Sequence, residues 1–362
     1  AAASLREVLL ILARPPAGQE SPIFSIALNS VPSPVAVGSV LDLSDVKGQA
    51  LAKRALEVAV AGGHNILMVG PPGAGKSMLA RRLPSLLPSL SREASLEVTQ
   101  VHALLGGAGG TLMKEAPFRA PHHSATSVSL VGGGPASRPG EVSLAHGGIL
   151  FMDELGLFAR HALEALRQPM EDRLVRIARA RTSVEYPACF LLAAATNPCP
   201  CGWRGHSRRW CRCTPPEVRK YLSRLSGPLL DRIDIQVELE PLEFSVWSKL
   251  EGGRPSSAEV RGRVERARRR QRARQKNGAF ALNALLGARE LAVCCSLDAE
   301  ALKVLGAAAE RFSLSARSLD RVLRVARTIA DLEESPGVDS GHLAEALLFR
   351  CVDRLLGTLE GS

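Results

Sequence analysis

The segment from Gly70 to Ser77 limits the possible folds of this chain more than any other, because it reads Gly-Pro-Pro-Gly-Ala-Gly-Lys-Ser. It matches G-x-x-x-x-G-K-[ST], a loop whose backbone amides cradle phosphates while the lysine reaches the outer phosphates. An apolar run of strand length precedes it at 65–69, and residues 78–83 are typical of a helix start. A chance match in a glycine-rich loop would lack these flanks. The expected phosphate-binding residues are Gly70, Pro71, Pro72, Gly73, Ala74, Gly75, Lys76 and Ser77.

Composition and charge indicate a globular protein of more than one domain and favour a negatively charged partner. The chain has 362 residues, of which 46% are hydrophobic, and a net charge of +10. It is long enough for two or three domains. No apolar run of about 18 residues and no signal-peptide pattern occur, so we expect a cytoplasmic protein without a membrane partner. The positive charge favours a polyanionic partner such as DNA, although charge alone is weak evidence.

A second apolar run, residues 149–152, ends at two carboxylates, Asp153 and Glu154. Such a run is typical of a strand buried on both faces of a parallel sheet, and ligands bind at the carboxyl ends of such strands. We expect Asp153, together with the Ser77 hydroxyl, to hold Mg²⁺, and Glu154 to polarise the attacking water. The alternative is a buried strand followed by a helix-capping aspartate.

Residues 174–186 alternate with strand period and predict a β-hairpin with Arg179 and Arg181 near its tip. Arginines on a projecting hairpin can bind nucleic-acid phosphates, whereas a solvated turn would explain the same residues. The next run, 189–196, is typical of another doubly buried strand. It ends at Asn197, a polar residue suited to orienting water beside the terminal phosphate.

Four cysteines lie in the loop that follows, as two C-x-C pairs: Cys199 with Cys201 and Cys211 with Cys213. They are half of the chain's eight cysteines, and a cluster in so polar a loop is unlike buried structural thiols. A four-cysteine zinc site is the favoured interpretation, although the spacing departs from the usual C-x₂-C. The expected cofactors are therefore ATP and Mg²⁺, with Zn²⁺ as a third candidate.

Two arginines have both a local and a functional interpretation. Arg232 lies between Asp231 and Asp234, so it either forms a local ion pair or reaches the nucleotide of a neighbouring subunit. Arg317 opens a predicted helix, where a cation opposes the helix dipole unless an anion such as phosphate is near.

The chain from residue 258 onward is predicted to be helical, with an arginine-rich helix over 259–276 and amphipathic helices over 297–311, 317–333 and 339–356. Residues 84–147, by contrast, are dense in glycine and predict functional loops with little regular structure. We expect an N-terminal remnant and linker at 1–40, an α/β core at 41–244 and a helical domain at 245–362.

These motifs together resemble an AAA+ ATPase, and further segments resemble the magnesium-chelatase-like ComM/YifB family. The segments are DVKGQ at 45–49, APFRAPHHS at 116–124, RPGEVSLAHGGILFMDEL at 138–155, EALRQPMED at 164–172, NPCPCG at 197–202, CRCTP at 211–215, SRLSGPLLDRID at 223–234 and LSARSLDRVLRVARTIADL at 314–332. The resemblance covers about 41–352. It implies an α/β fold, an AAA+ P-loop NTPase core whose parallel sheet is flanked by helices, with a C-terminal α-helical lid.

The resemblance also assigns roles. It implies that residues 70–77 are Walker A, that Asp153 and Glu154 are Walker B, and that Asn197 is sensor 1. Arg232 would be an arginine finger acting on a neighbouring subunit. Arg317 would be sensor 2, offsetting the same γ-phosphate charge as Lys76. The implied assembly is a homohexameric ring that hydrolyses ATP to move DNA in branch migration, with the basic hairpin tip facing the pore.

Two alternatives stay open at this point. One is a chelatase-type motor that inserts Mg²⁺ into a porphyrin with partner subunits, and the other is a nucleotide-gated protein-remodelling scaffold. The C-x-C pairs and the basic hairpin tip favour the DNA motor over the chelatase.

Overall fold

The computed structural model describes residues 41–105, 111–178, 183–206, 209–223, 227–241, 255–274, 281–312 and 314–350. Within these ranges no helix is both long and apolar enough to span a bilayer.

The α/β part of the chain alternates short strands and helices. In order it contains α1 (Ala50–Gly62), β1 (Ile66–Val69), α2 (Lys76–Ala80), α3 (Leu83–Leu86), α4 (Arg92–Ala103), β2 (Phe118–Arg119), α5 (Ser127–Val131), β3 (Gly132–Gly133), β4 (Arg138–Pro139), α6 (Glu141–Leu144), β5 (Ile149–Met152), α7 (Arg160–Ala165), α8 (Arg167–Asp172), β6 (Leu174–Ala178), β7 (Ser183–Pro187), β8 (Leu191–Thr196), α9 (Pro215–Leu222), α10 (Gly227–Leu230) and β9 (Ile235–Glu238). The C-terminal part is helical, with α11 (Ser257–Arg274), α12 (Ala288–Cys294), α13 (Ala299–Arg311), α14 (Ala316–Leu332) and α15 (Ser340–Leu348).

Five strands form one parallel sheet in the order β2-β5-β8-β1-β9. Strand β1 lies between β8 and β9, with Ile66 opposite Ala193 on one side and Ile235 on the other. Strand β5 pairs with β8 and with the short edge strand β2. Because all five strands run the same way, the loops after β1, β5 and β8 meet at one edge of the sheet.

The central strands are apolar on both faces, and successive residues enter two different cores. Ile66 and Met68 face a core shared with α1 and the C-terminal helices. Leu67 and Val69 face the opposite core, which includes Leu163 of α7. This explains the continuous apolar runs at 66–69 and 149–152, as expected for a sheet covered by helices on both sides.

The C-terminal helices belong to the same packed body as the sheet. Residues of α11, α14 and α15 share the first core with α1 and with alternate residues of the central strands. The predicted architecture, a parallel sheet flanked by helices with a helical C-terminal region, is therefore confirmed. The expected boundary at residue 245 falls within 242–254, outside the described residues, and stays a prediction.

The structure differs from the sequence expectation over 84–147. It contains the twelve-residue helix α4, which Ser91 caps by accepting a hydrogen bond from the backbone amide of Ala94. Ala94, Val98 and Val101 are buried at helical spacing. The expectation of little regular structure there was wrong, because the glycines around this helix obscured its short apolar face.

Candidate active site

The predicted phosphate loop follows β1 directly and ends at α2. Gly73 and Gly75 have φ angles of +80° and +95°, which L side chains rarely adopt, so both positions require glycine. A methyl group built on either would meet no atom within 4 Å, so both glycines border open space. The loop therefore presents bare backbone to a ligand, as phosphate binding requires.

Lys76 is held across this loop by three oxygen acceptors. Its Nζ donates to the carbonyl oxygens of Gly70 and Pro71 at 2.6 and 2.9 Å and to Oδ1 of Asn197 at 3.1 Å. Burial lowers the pKa of the ammonium, and the carboxylates of Asp153 and Glu154 oppose that shift. The ammonium thus lies between the loop and the end of β8.

Ser77 and Asp153 meet although 76 positions separate them in the sequence. The Ser77 hydroxyl donates to Oδ2 of Asp153 at 2.6 Å, and the other carboxylate oxygen accepts from the amide of Glu154 at 3.0 Å. A hydroxyl and a carboxylate are hard oxygen ligands of the kind that Mg²⁺ binds beside phosphates. These two residues fit the predicted magnesium site.

Glu154 has a left-handed backbone conformation, with φ of 51°, and its side chain is 54% exposed. A non-glycine residue in that region is strained, and such strain often accompanies function. The carboxylate faces a cleft of about 660 Å³ that Asp153, His122 and His123 also line. It is therefore free to act on a water molecule in that cleft.

His123 was missed as a site residue by the sequence reasoning. Its Nδ1 lies 3.9 Å from a carboxylate oxygen of Glu154, and its ring lies against that of His122 with centroids 4.0 Å apart. The histidine pair follows strand β2, which is only two residues long, so nothing in the local pattern indicated that it ends at the same edge as β5. The sequence PHHS was the one available signal.

Arg232 and Arg317 do not line the cleft beside the phosphate loop. Both line a second cleft, of about 680 Å³, together with Asn65, which immediately precedes β1. Asn65 donates to the carbonyl oxygen of Arg232 at 2.9 Å. This cleft is at the amino edge of the sheet, whereas the phosphate loop is at the carboxyl edge, and the four residues of β1 put those edges about 13 Å apart.

The structure therefore places Arg317 in the same cleft as Arg232 and not beside Lys76, and the roles at the γ-phosphate expected for both arginines stay predictions. Helix α14 is fixed at the amino edge because Thr328 contacts the ring of His64 at 2.7 Å. One turn after Arg317, Arg321 lies 3.8 Å from Asp234, which precedes β9. Burial would raise the pKa of Asp234, but the hydrogen bond from His64 and the nearby arginines outweigh it and lower that pKa.

The side chain of Arg232 has local partners. It forms an ion pair with Glu171 at 2.5 Å and donates to the carbonyl oxygen of Pro228 at 2.6 Å. Its buried Nε and one guanidinium nitrogen of Arg321 have no hydrogen-bond partner in the described part of the chain. The second cleft therefore combines several cations with unused N–H donors.

The hairpin predicted at 174–186 is present as the antiparallel pair β6–β7. Arg176 and Glu185 form a cross-strand ion pair at 2.8 Å. Its tip, with Arg179 and Arg181, lies outside the described residues, so the predicted DNA contacts stay predictions.

The four cysteines of the C-x-C loop converge. Their sulfur atoms all lie within 4.8 Å of one another. Cys199 Sγ is 3.4 Å from that of Cys201 and 3.7 Å from that of Cys211. Zn–S bonds of about 2.3 Å in a tetrahedron place neighbouring sulfurs about 3.8 Å apart, so this geometry fits a four-thiolate zinc site.

Comparison with known proteins agrees with the resemblance described in the sequence analysis. The family model described as magnesium chelatase, subunit ChlI, matches residues 42–246, and the model of the ChlI C-terminal region matches residues 254–350. The chain is 45% identical over 317 residues to the uncharacterized protein YifB of Escherichia coli K12. It is 43% identical over 322 residues to the competence protein ComM of Haemophilus influenzae.

These alignments cover 87% and 89% of this chain but 61% and 62% of the two relatives, so the chain spans about three fifths of their length. A more distant similarity, 26% identity over 191 residues, links 53% of the chain to 24% of a probable DNA helicase, MCM9, of rice (Oryza sativa subsp. indica).

Proposed function

Since the chain belongs to the family of the magnesium chelatase subunit ChlI, we propose that it is a Mg²⁺-dependent ATPase of the AAA+ type. The observation that carries this proposal is the convergence of one cation, one hydroxyl, two carboxylates and one amide at the carboxyl edge of β1, β5 and β8. Each group has the chemistry that phosphoryl transfer to water needs.

In the proposed reaction each residue has one task. Lys76, now bonded to two carbonyl oxygens, would bind the outer phosphates of ATP. Ser77 and Asp153 would hold Mg²⁺, which would offset the phosphate charge. Glu154 accepts a proton from the attacking water, and Asn197 orients that water.

In the proposed assembly, the carboxyl edge of one chain and the amino edge of its neighbour together form one nucleotide site. Arg232 and Arg317 line a cleft at the amino edge of the sheet, whereas the phosphate loop of the same chain is at the carboxyl edge, and their cleft carries unused donors. We therefore infer that both arginines approach the γ-phosphate bound by an adjacent subunit. Head-to-tail contacts of this kind form a closed ring when the rotation between subunits closes, as in the predicted hexamer.

We propose that ATP hydrolysis drives movement of the protein along DNA. Support comes from the net charge of +10, from the β6–β7 hairpin and from two relatives named a competence protein and a probable DNA helicase. Phosphate contacts through the hairpin tips would carry no sequence preference. The alternative is a chelatase-type motor, which the name of the family model favours.

We also propose that Cys199, Cys201, Cys211 and Cys213 bind Zn²⁺. The sulfur separations and the absence of disulfides among the described cysteines support a closed thiolate site.

The test is ATP turnover with and without single-stranded DNA, in the wild type and in Glu154→Gln. The glutamine keeps the shape but cannot accept the proton, so turnover should fall by roughly 10²- to 10⁴-fold while ATP still binds. Glu164→Gln, a change on the exposed face of α7, is the matched control and should not alter turnover. Undiminished turnover in Glu154→Gln would disprove the site, and indifference to DNA would favour the chelatase-type motor.

A further inference from the structure

The cysteine loop is built directly onto the candidate active site. Cys199 follows Asn197 by two residues, and Cys213 precedes the first residue of α9 by two. The four sulfurs therefore join the end of β8 to the start of α9 across a loop in which no strand or helix is found among its described residues.

The same loop also touches the phosphate loop. A methyl group built on Gly202 would lie 2.6 Å from Cδ of Pro72 and 3.8 Å from the side-chain amide carbon of Asn197. Gly202 donates its amide hydrogen to the carbonyl oxygen of Cys199 at 3.0 Å, so it turns back over the ligand cluster. The backbone of the cysteine loop thus packs against both Pro72 and Asn197.

Helix α9 holds the same strand end from its other side. Tyr221 and Thr196 are joined by a hydroxyl–hydroxyl hydrogen bond of 3.0 Å. Asn197, one residue later, is the residue whose Oδ1 accepts from Lys76. The position of this amide therefore depends on the phosphate loop, on α9 and on the cysteine loop.

Few apolar contacts would keep the cysteine loop in this arrangement without a metal ion. Among the described residues of the loop and of α9, the buried cluster consists of Cys199 and Val218 with the other three cysteines and Leu222 around them, and the Trp203 ring lies against His206 and Arg209 of the same loop. Thiol–thiol contacts are weak hydrogen bonds. Binding of a metal ion to four thiolates, by contrast, is strong enough to order a small loop.

We propose that a zinc ion in the four-cysteine site positions Asn197 and Pro72 for ATP hydrolysis. The cysteines and Gly202 are positioning residues, because they act through Asn197. The inference rests on the proposed ATPase function. It requires that loss of the metal lowers kcat far more than it weakens ATP binding, since Lys76, Ser77 and Asp153 are not part of the cysteine loop.

The experiment compares the wild type with Cys211→Ser, Cys211→His and the control Cys294→Ser, a cysteine at the end of α12 outside the cluster. Zinc content is measured by elemental analysis, and site geometry by the absorption of Co²⁺ substituted for zinc. We expect one zinc per chain in the wild type and the control. Cys211→Ser should lose the metal and at least tenfold in kcat, with an ATP dissociation constant within about threefold of the wild type. Cys211→His should restore both, because histidine also binds zinc.

A readout independent of turnover separates this inference from the proposed function. Hydrogen exchange at the backbone amides of Cys201 and Gly202 should be slow in the wild type and fast after chelation or in Cys211→Ser. A wild type without ATPase activity but with metal-dependent protection would overturn the proposed function, and with it the link to hydrolysis, while supporting the ordering of the loop by the metal. Absence of bound zinc or Co²⁺ in the wild type, or unchanged kcat in metal-free Cys211→Ser, would overturn the inference.

Discussion

At Gly202 the cysteine loop contacts the phosphate loop with no side chain between them. Its φ of +82° already disfavours any L residue, and a methyl group would also collide with Pro72. Gly205, three residues later, has a similar φ of +77°, but a methyl group there would meet nothing within 4 Å. Comparing alanine substitutions at these two glycines therefore separates the effect of left-handed backbone strain from the effect of the contact with Pro72.

We predict that Gly202→Ala and Gly205→Ala each lose about 1–2 kcal/mol of stability from left-handed strain. Only Gly202→Ala should also displace Pro72 and lower kcat for ATP hydrolysis. Urea denaturation and steady-state kinetics on both variants check this. Equal kcat values in the two would show that the contact at Gly202 does not affect the active site.

Local sequence was sufficient to predict the residues at the carboxyl edge. Lys76, Ser77, Asp153, Glu154 and Asn197 each directly follow or end a strand or begin a helix in a recognisable pattern, and parallel strands bring such positions together. Their roles stay predictions. Arg317 could not be placed in this way, because its position depends on how α14 packs against α1, which no short pattern encodes.

At the scale of elements, Asp331 joins three segments of the helical region. This fully buried carboxylate pairs with Arg274 of α11, with Arg327 of α14 at 2.9 Å, and accepts from the amide of Asn283 at 2.8 Å. Buried charges need such partners, because an unpaired one carries a large desolvation cost.

We predict that Asp331→Ala destabilises the protein by about 3–5 kcal/mol, since it leaves two guanidinium groups without their counter-ion. Glu164→Ala, which removes a half-exposed ion pair with Arg160 and a longer one with Arg167, should cost less than about 1 kcal/mol. Urea unfolding midpoints of the two variants provide the comparison. Similar losses would mean that the buried pairing contributes nothing beyond a surface one.

The sequence predicted whether most segments are helices or strands, but it predicted less well the residues at which they begin and end. The chain over 160–172 forms two helices, α7 and α8, where its sequence is typical of one. Pro169 has no amide hydrogen to donate to the carbonyl oxygen of Ala165, which accounts for the break at Leu166. The β6–β7 hairpin, by contrast, followed its alternation closely, because period-two patterns fix the register.

At the scale of the whole molecule, the two clefts at opposite edges of the sheet predict complementation. Arg232→Ala should lower turnover by about 10³-fold or more, and Lys76→Ala should abolish it. Equal mixing of the two inactive variants should restore activity. With random assembly into rings, roughly a quarter of the subunit contacts combine an intact phosphate loop with an intact arginine.

The measurement is ATP turnover of the mixture, with native mass spectrometry to verify that mixed rings form. A mixture with Lys76→Ala/Arg232→Ala in place of the single Lys76→Ala variant is the control and should stay inactive. Mixed rings without recovered turnover would exclude the proposed sharing of the site between subunits.

The separation of the two ends of β1 has a kinetic consequence. Under the proposed sharing of the site between subunits, an isolated chain lacks a neighbour's guanidinium groups, so a dilute solution should hydrolyse ATP slowly even at saturating ATP. The apparent reaction order in protein should then exceed one until assembly is complete. Under the same proposal, a low concentration of the chain would itself limit ATP consumption, with no inhibitor required.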